Sequence, residues 1–436
     1  MIPKTESVTT LLIVRGDLRS STGYSRALRD LLSLLLKRFE KVVGSDIHYH
    51  PAISVQSCPF PILSDDEVAA LAKESGGRAL VLHFTSPDSF RPIPGCKNIG
   101  YFFWETDRFL PDSHWLTFIN QMDEMWLPSH FQSSMLRKSG YKGVLKVVPW
   151  PHFEKQATAS EFGSVSLIPF ALSSTSKRTA LSRLGVFLGK QRVRNLDEKI
   201  FSRFRISLSD LILKYPNRVL NVAQNVPRKG LVLQLAEWCD FIKAHPDFKG
   251  CLIIKTSSLD VGRSQNEIEV EFSETLFRLC RARGLANPHV YLAADRLSES
   301  QLDAMFRAAT LYSTHTFGEG FGGPIVEAVN RGLPVITPRH TSIESFVTPD
   351  YPLIMRSRIQ SVSFVGQLDC YSVSSMWGVP EVNEWSRCFS KYLAFSELER
   401  NECVEALRKS IIEFCSPEAA EAALNVALGV PVGDHG

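Results

Sequence analysis

One loop combines glycines with two glutamates at a spacing suited to chemistry: HTFGEGFGGPIVEAVNRGLPVIT, from His315 to Thr337. Gly318, Gly320, Gly322 and Gly323 allow positive φ and let a ligand come close to the backbone. Pro324 suits a first helical position and Gly332 the position just past a helix end, so a short helix begins where the glycines stop. The unpaired N–H groups and partial positive charge of its N-terminus suit an anion, and phosphate is the natural one. Glu319 lies in the loop and Glu327 eight residues later, so a ligand lying along the helix start can meet both carboxylates and offer them hydroxyl groups. A tight turn whose glutamates merely complement the helix dipole is the plainer alternative.

Cations stand at the ends of predicted strands. Arg228 and Lys229 follow the apolar run Val219 to Ala223, and Lys255 closes LIIK. The carboxyl ends of strands are where open α/β sheets bind ligands, so these residues together describe a cationic pocket, although each taken singly can be solvated surface. Fixed Lys, Arg and backbone N–H groups in such a pocket stabilise phosphate charge without a metal. The sequence holds no Asp-x-Asp in an apolar setting, so no metal and no other cofactor is expected.

The elements that must position these residues alternate between apolar runs and helical period, which is the pattern of βα units feeding parallel sheets. Strands are predicted at Leu11 to Arg15, Ala79 to Phe84, Asn98 to Phe103, Glu124 to Pro128 and Val144 to Pro149. The loop GDLRSSTG, ending at Gly23, leads into a helix with a stripe of Leu28, Leu31, Leu32, Leu35, Leu36 and Phe39. From about 154 to 205 the pattern weakens into a Ser-rich, basic insertion or linker. It restarts at Val219 with a helix at Leu231 to Ala244, a strand at Cys251 to Lys255, a helix at Glu269 to Gly284 and a strand at Val290 to Leu292. A helix at Ser298 to Ala308, a strand at Leu311 to Ser313, the short helix at Pro324 to Arg331 and a strand at Pro334 to Thr337 follow. Glu384 to Leu428 reads as helical throughout. The boundaries drawn are 1–205, 206–395 and 396–436, the last being helices that return to the first domain.

Composition excludes several classes. At 436 residues, 44% hydrophobic and 22% charged, the chain is globular and long enough for two or three domains. Its apolar runs are far shorter than the ~18 residues of a spanning helix. The N-terminus lacks the basic head and apolar centre of a secretory signal, so a cytoplasmic location is expected. Nine scattered cysteines without Cys-x-x-Cys spacing read as free thiols. A net charge of +3 does not imply nucleic acid. Lys177 to Arg205 concentrates the basic excess, with nine Lys or Arg against two acids. With its interspersed leucines this segment is either a solvated linker or a peripheral contact with an anionic membrane at its inner face.

FGEGFGGPIVEA followed by GLPVIT closely resembles the signature of GT-B glycosyltransferases of the retaining glycosyltransferase family 4 type. The resemblance implies an α/β fold of two Rossmann-like, doubly wound domains facing a central cleft. It implies metal-independent transfer of a sugar, with retention, from a nucleotide-diphosphate sugar to a hydroxyl of a glycan, lipid-linked glycan or protein. By motif, Glu319 contacts the donor sugar, Glu327 the ribose, and the amides around Gly320, Phe321 and Gly322 the sugar and diphosphate. NVAQNVPRKGLVLQLA, Asn221 to Ala236, resembles the family's diphosphate clamp; Lys229 and Gly230 match. The family's arginine falls near Gln224, which leaves Arg228 to supply that charge. Gly23 is a further donor-side candidate, because it permits close approach before the first helix.

Asn98 to Gly143 resembles the acceptor side of such enzymes, an aromatic strand ending in Trp-Glu and then WLPSHF. Many relatives carry a histidine near the end of that strand, where this chain has Trp104 and Glu105, so no catalytic histidine is carried over. Glu105, Asp107 and Trp104 become acceptor-side candidates; capping of the loop by Glu105 and aromatic packing is the alternative. Lone His83 and His315 read as structural. Other readings stay open: an epimerase or phosphorylase of the same fold, or a noncatalytic carbohydrate- or partner-binding protein that kept it. A nicotinamide dehydrogenase is disfavoured, since GDLRSSTG lacks Gly-x-Gly-x-x-Gly.

Overall fold

Runs that are apolar at every position become strands covered on both faces. In the computed structural model, which describes residues 11–20, 22–47, 57–109, 114–153, 162–170, 205–257, 265–362 and 374–430, β1 (Leu11–Gly16) is buried along its whole length. It starts a six-stranded parallel sheet with β2 (Lys41–Asp46), β3 (Ala79–Phe84), β4 (Lys97–Tyr101), β5 (Glu124–Leu127) and β6 (Val144–Val147), in the order β2-β1-β3-β4-β5-β6. Parallel neighbours require crossovers, and helices supply several of them. α1 (Gly23–Leu35) is capped by Thr22, whose hydroxyl accepts from the Ser25 amide, and buries Leu28, Leu31, Leu32 and Leu35. α2 (Asp65–Glu74) starts in a capping box of Ser64 and Glu67. α3 (His114–Ile119) and α4 (His130–Lys138) connect the later strands.

The second sheet has eight strands. β7 (Ser166–Phe170), β8 (Ile206–Ser207), β9 (Asn217–Val222), β10 (Gly250–Lys255), β11 (Val290–Ala293), β12 (Leu311–Ser313), β13 (Val335–Pro338) and β14 (Ile354–Met355) lie in the order β14-β13-β12-β9-β10-β11-β7-β8. All neighbours are parallel except at β7 and β8. Ser166–Phe170, expected within the linker of the first domain, is therefore a strand of the second sheet. α5 (Leu208–Lys214), α6 (Leu231–Ala244), α7 (Gln265–Arg283), α8 (Glu299–Ala308) and α9 (Gly323–Asn330) flank this sheet. The basic segment falls outside the described residues over 177–204; its last member, Arg205, pairs with Asp295 at 2.6 Å.

Past β14, the strands β15 (Ser357–Ser361) and β16 (Met376–Pro380) form an antiparallel ribbon. Three helices end the described chain: α10 (Glu384–Ala394), α11 (Glu397–Cys415) and α12 (Pro417–Leu428). α11 packs on α9 of the second domain, and α12 lies on the first. Arg38 reaches Glu421 at 2.7 Å, and Lys146 Nζ donates to the Ala427 carbonyl at 2.7 Å. Each sheet has a point where strand order reverses, β1 against β2 and β3 in the first and β9 against β12 and β10 in the second. Ligands of such sheets bind outside the carboxyl ends of the strands at these points.

Candidate active site

The second domain builds its half of the site from the loops after β9 and β12, the two strands at its reversal. Pro227–Lys229 makes one tight helical turn, and Gly230, at φ 63°, opens α6. Only glycine fits at 230, since a Cβ there would lie 2.1 Å from the His315 carbonyl oxygen. This crossing sets Lys229 beside the loop after β12, where its Nζ donates to both carboxylate oxygens of Glu319, 2.7 Å each. Arg228 Nη1 donates to the Gly318 carbonyl at 2.5 Å and stands 3.8 Å from Glu319, and the Phe317 amide donates back to the Arg228 carbonyl at 2.7 Å. Burial opposes ionisation of Glu319, yet Lys229 and Arg228 outweigh it and hold the carboxyl below its ordinary range. Burial also lowers the Lys229 pKa, with Glu319 acting against that effect.

Thr341 supports this pair from behind. Its hydroxyl accepts from the Glu319 amide at 2.9 Å and donates to the His340 carbonyl at 2.7 Å, from a backbone held at φ 56°. A β-branched residue in the left-handed region is strained, and such strain gathers at functional sites. His340 is buried close by, and burial lowers its pKa to about 4 against the opposing charge of Glu319.

Gly322, at φ 102°, starts α9 with Pro324 in its first turn. Glu327, one turn further on, is buried, and its Oε1 accepts from Arg26 Nη1 of α1 in the other domain. Arg331 Nη1 stands 3.8 Å from its Oε2. Phe321 points away from the loop into the core, 5.2 Å from Trp150 between ring centres.

The first domain answers with the segment after β4. Glu105 Oε1 pairs with Arg228 Nη2 at 2.9 Å, across the domain boundary. Close approach is enforced by the same glycines: a Cβ at Gly318 would lie 2.1 Å from the Glu105 carbonyl oxygen, one at Gly320 2.6 Å from Phe103 Cβ, and one at Gly323 2.8 Å from the Trp150 ring. Gln132 Nε2 of α4 donates to the Gly320 carbonyl, and the Ser129 and Ser342 hydroxyls are 2.9 Å apart. Asp107 joins the β15–β16 ribbon, its Oδ1 accepting from the Met376 amide at 2.7 Å and its amide donating to the Met376 carbonyl at 3.1 Å.

Glu319, Lys229, Arg228, Gly320 and Glu105 thus converge, with Glu327 held by Arg26. The remaining candidates stand differently. Trp104 is a core residue, 1% exposed, bonded through Nε1 to Thr106 and packed on Phe109 and Trp115. Lys255 Nζ donates to the Thr256 carbonyl at 3.0 Å, and burial lowers its pKa to about 8 despite Asp295. The Gln224 carbonyl accepts from the Val226 amide, and Gly23 is the first residue of α1. His83 is buried against Asn98, with its pKa lowered by burial to about 4; His315 is buried 3.9 Å from Glu237. Arg26, Gln132 and Thr341 carry no sequence signal, because each acquires its place only through tertiary contacts. Among the described residues no His, Cys, Asp and Glu group is placed to hold a metal ion, and no helix is long and apolar enough to cross a membrane.

No family model and no curated protein matches the chain. Solved structures do. It is similar to the N-terminal domain of Candida albicans trehalose-6-phosphate phosphatase, with 13% identity over 98% of each chain and a TM-score of 0.55. The α,α-trehalose 6-phosphate synthase of Burkholderia multivorans gives 10% identity over 97% of this chain and 100% of that one, with a TM-score of 0.55. Sucrose-phosphate synthase of Thermosynechococcus elongatus gives 13% identity, 96% and 98% coverage and the same score. Two sheets whose parallel strands reverse order and which meet through these loops, and this likeness over nearly whole chains, make the fold GT-B: two Rossmann-like domains facing a central cleft.

Proposed function

We propose that this chain is a glycosyltransferase of the family 4 type that moves a sugar from a nucleoside-diphosphate sugar to an acceptor hydroxyl, with retention and without a metal. One observation carries the reading: Lys229 bridging both oxygens of Glu319, with Arg228 beside them, at the strand reversal of the second sheet. An ionised carboxylate fixed there accepts hydrogen bonds from sugar hydroxyls. The two cations and the amides at the start of α9 meet the diphosphate, and Glu327 takes the ribose hydroxyls. Two synthases of sugar phosphates among the structures of like fold agree with this chemistry.

In the transfer, the bond between the anomeric carbon and the diphosphate oxygen breaks and its electron pair leaves with the phosphate. The acceptor oxygen bonds to the same face of the anomeric carbon. Its proton passes to the departing phosphate oxygen, so no protein base is required. Lys229 and Arg228 act on the charge that grows on the leaving group, where fixed cations in a dry site lower the barrier most. Glu105, joined to Arg228 from the other domain, stands on the acceptor side of that charge.

A melting panel of UDP-, GDP-, ADP- and TDP-sugars in EDTA tests the reading, because a ligand bound only by the folded state raises the melting temperature. One sugar nucleotide is expected to stabilise the protein, and an acceptor is expected to trigger release of its nucleoside diphosphate. No shift with any of the four, with or without a divalent ion, would sink it.

A further inference from the structure

A chain of buried charges runs back from Glu327 into the second domain. The side chains of Glu327, Arg331 and Asp303 are each at most 8% exposed. Asp303, on α8, accepts from Arg331 Nε at 2.7 Å through Oδ1 and from Arg307 Nε at 2.6 Å through Oδ2. Arg331, directly after the last residue of α9, donates from Nη1 to the Glu327 carbonyl at 2.9 Å, and its guanidinium carbon lies 4.9 Å from the centre of the Phe306 ring. Asp303 and Phe306 belong to α8 and Glu327 to α9, so the guanidinium is fixed from two helices at once. Burial opposes ionisation of Asp303, yet Arg307 and Arg331 outweigh it and hold the carboxyl below its ordinary range, so the anchor stays charged.

This arrangement sets a cation near the Glu327 carboxylate without bonding it. Arg331 Nη1 stands 3.8 Å from Oε2, within ionic reach and beyond hydrogen-bond length. Oε1 accepts from Arg26 and keeps a second lone pair, while Oε2 accepts no hydrogen bond among the described residues. A guanidinium is planar and its donors are rigidly spaced, so one tied to Asp303 and to the Glu327 backbone cannot swing onto Oε2. Released from Asp303, the same arginine would turn the carboxylate towards itself.

We infer that Asp303 and Arg331 are positioning residues for the donor's ribose. They hold Glu327 ionised and in one orientation, with Oε2 left for a hydroxyl, and so give the site a preference for ribose over 2′-deoxyribose; this rests on the donor site proposed above.

Calorimetric titration with UDP, GDP, ADP and the 2′-deoxy form of each tests it. The wild type should bind one ribonucleotide about tenfold or more tighter than its deoxy counterpart, the effect of one hydroxyl bonded to a carboxylate. Asp303→Asn, close to the original in volume, should cut that ratio to about threefold or less while the deoxynucleotide binds nearly as before. Arg331→Met should do the same. If it does not fold, Arg331→Lys, which keeps the charge and loses the planar fork, takes its place with the same expected ratio. Loss of affinity for both forms by one factor, or a ratio kept at the wild-type value in either variant, overturns the inference and leaves Arg331 as a cap on the last carbonyls of α9. A wild type that binds ribose and deoxyribose forms equally removes Glu327 from the ribose, and this inference with it, but leaves Lys229 and Arg228 on the diphosphate. A wild type that binds none of the six overturns the donor site itself.

Discussion

The Lys229–Glu319 pair and the two pairs that cross the cleft are made of similar side chains but are held in different ways. The first joins two loops of one domain, backed by Thr341 and by a glycine turn that leaves no room for a side chain. The crossing pairs join residues of separate domains and survive only while those domains touch. A pair inside one domain keeps its geometry wherever the other domain stands; a pair between domains holds only where the two meet. The contrast separates a pair built into one fold unit from pairs that depend on how two units are placed.

The sharpest way to break this contrast is to remove the inner cation. Lys229→Met leaves Glu319 buried without its closest counter-charge, a change of about 3–5 kcal/mol for a buried pair losing one partner. Turnover should fall about a thousandfold. Glu319→Ala should lose as much turnover. Glu105→Gln, which breaks a crossing pair, should cost less than half as much stability. Thermal melts and initial rates of the three variants check the order, and equal losses of stability from Lys229→Met and Glu105→Gln would erase the distinction.

Acid separates the domains next. His83 lies in the first domain, His315 and His340 in the second, and burial lowers all three pKa values from 6.5, to about 4 for His83 and His340. The unfolded chain then binds more protons than the folded one as the pH falls from 6.5 towards 4. Stability is full above pH 6.5 and drains across that window, by on the order of 3 kcal/mol for a shift of this size. The second domain, which adds His289 for three such imidazoles, should loosen first. Hydrogen exchange at pH 7 and pH 5, corrected for intrinsic rates, should show greater loss of protection in β9, β12 and β13 than in β1, β3 and β4. The reverse order would remove these histidines as the cause.

Gly318→Ala acts on the boundary alone. The new methyl would meet the Glu105 carbonyl at 2.1 Å, and backbone on both sides cannot yield cheaply. The domains must part by about an ångström, and misplacement on that scale can cost about a hundredfold in rate. Nucleotide binding at the proposed second-domain site should change far less than turnover. Comparable losses in both would mean that binding also requires the closed cleft.

The glycine loop shows how far the sequence carried. Its spacing signals close approach, positive φ at its four glycines and a short helix; of the four only Gly322 takes positive φ, and α9 begins there. What approaches Gly318, Gly320 and Gly323 is the first domain, through Phe103, Glu105 and Trp150, and nothing local in the loop encodes that. α6 is legible residue for residue, because its apolar stripe follows a glycine that must be left-handed. β7 is hidden because Pro169 sits in a five-residue run and argues against a central strand. It is tolerated because β8 pairs only with Ser166 and Leu167, leaving Pro169 beyond its end. Arg26 is equally hidden. Helical period places it on the polar side of α1, and only the meeting of two domains turns that side towards Glu327.

Gly23 gives the smallest and most discriminating change. It is the first residue of α1, directly after its Thr22 cap, and a methyl there meets nothing within 4 Å. Its φ is not positive, so alanine carries no backbone strain. Gly23→Ala should therefore stabilise the protein by about 0.5–1 kcal/mol through helix propensity and a less flexible unfolded chain. If the diphosphate is held by Lys229, Arg228 and the start of α9, nucleoside diphosphate affinity stays at the wild-type value while the melting temperature rises. A loss of affinity alongside higher stability would instead place the diphosphate against the first turn of α1, with both domains sharing its charge, and the division between a pair held in one domain and pairs held between two would give way to a site spanning both.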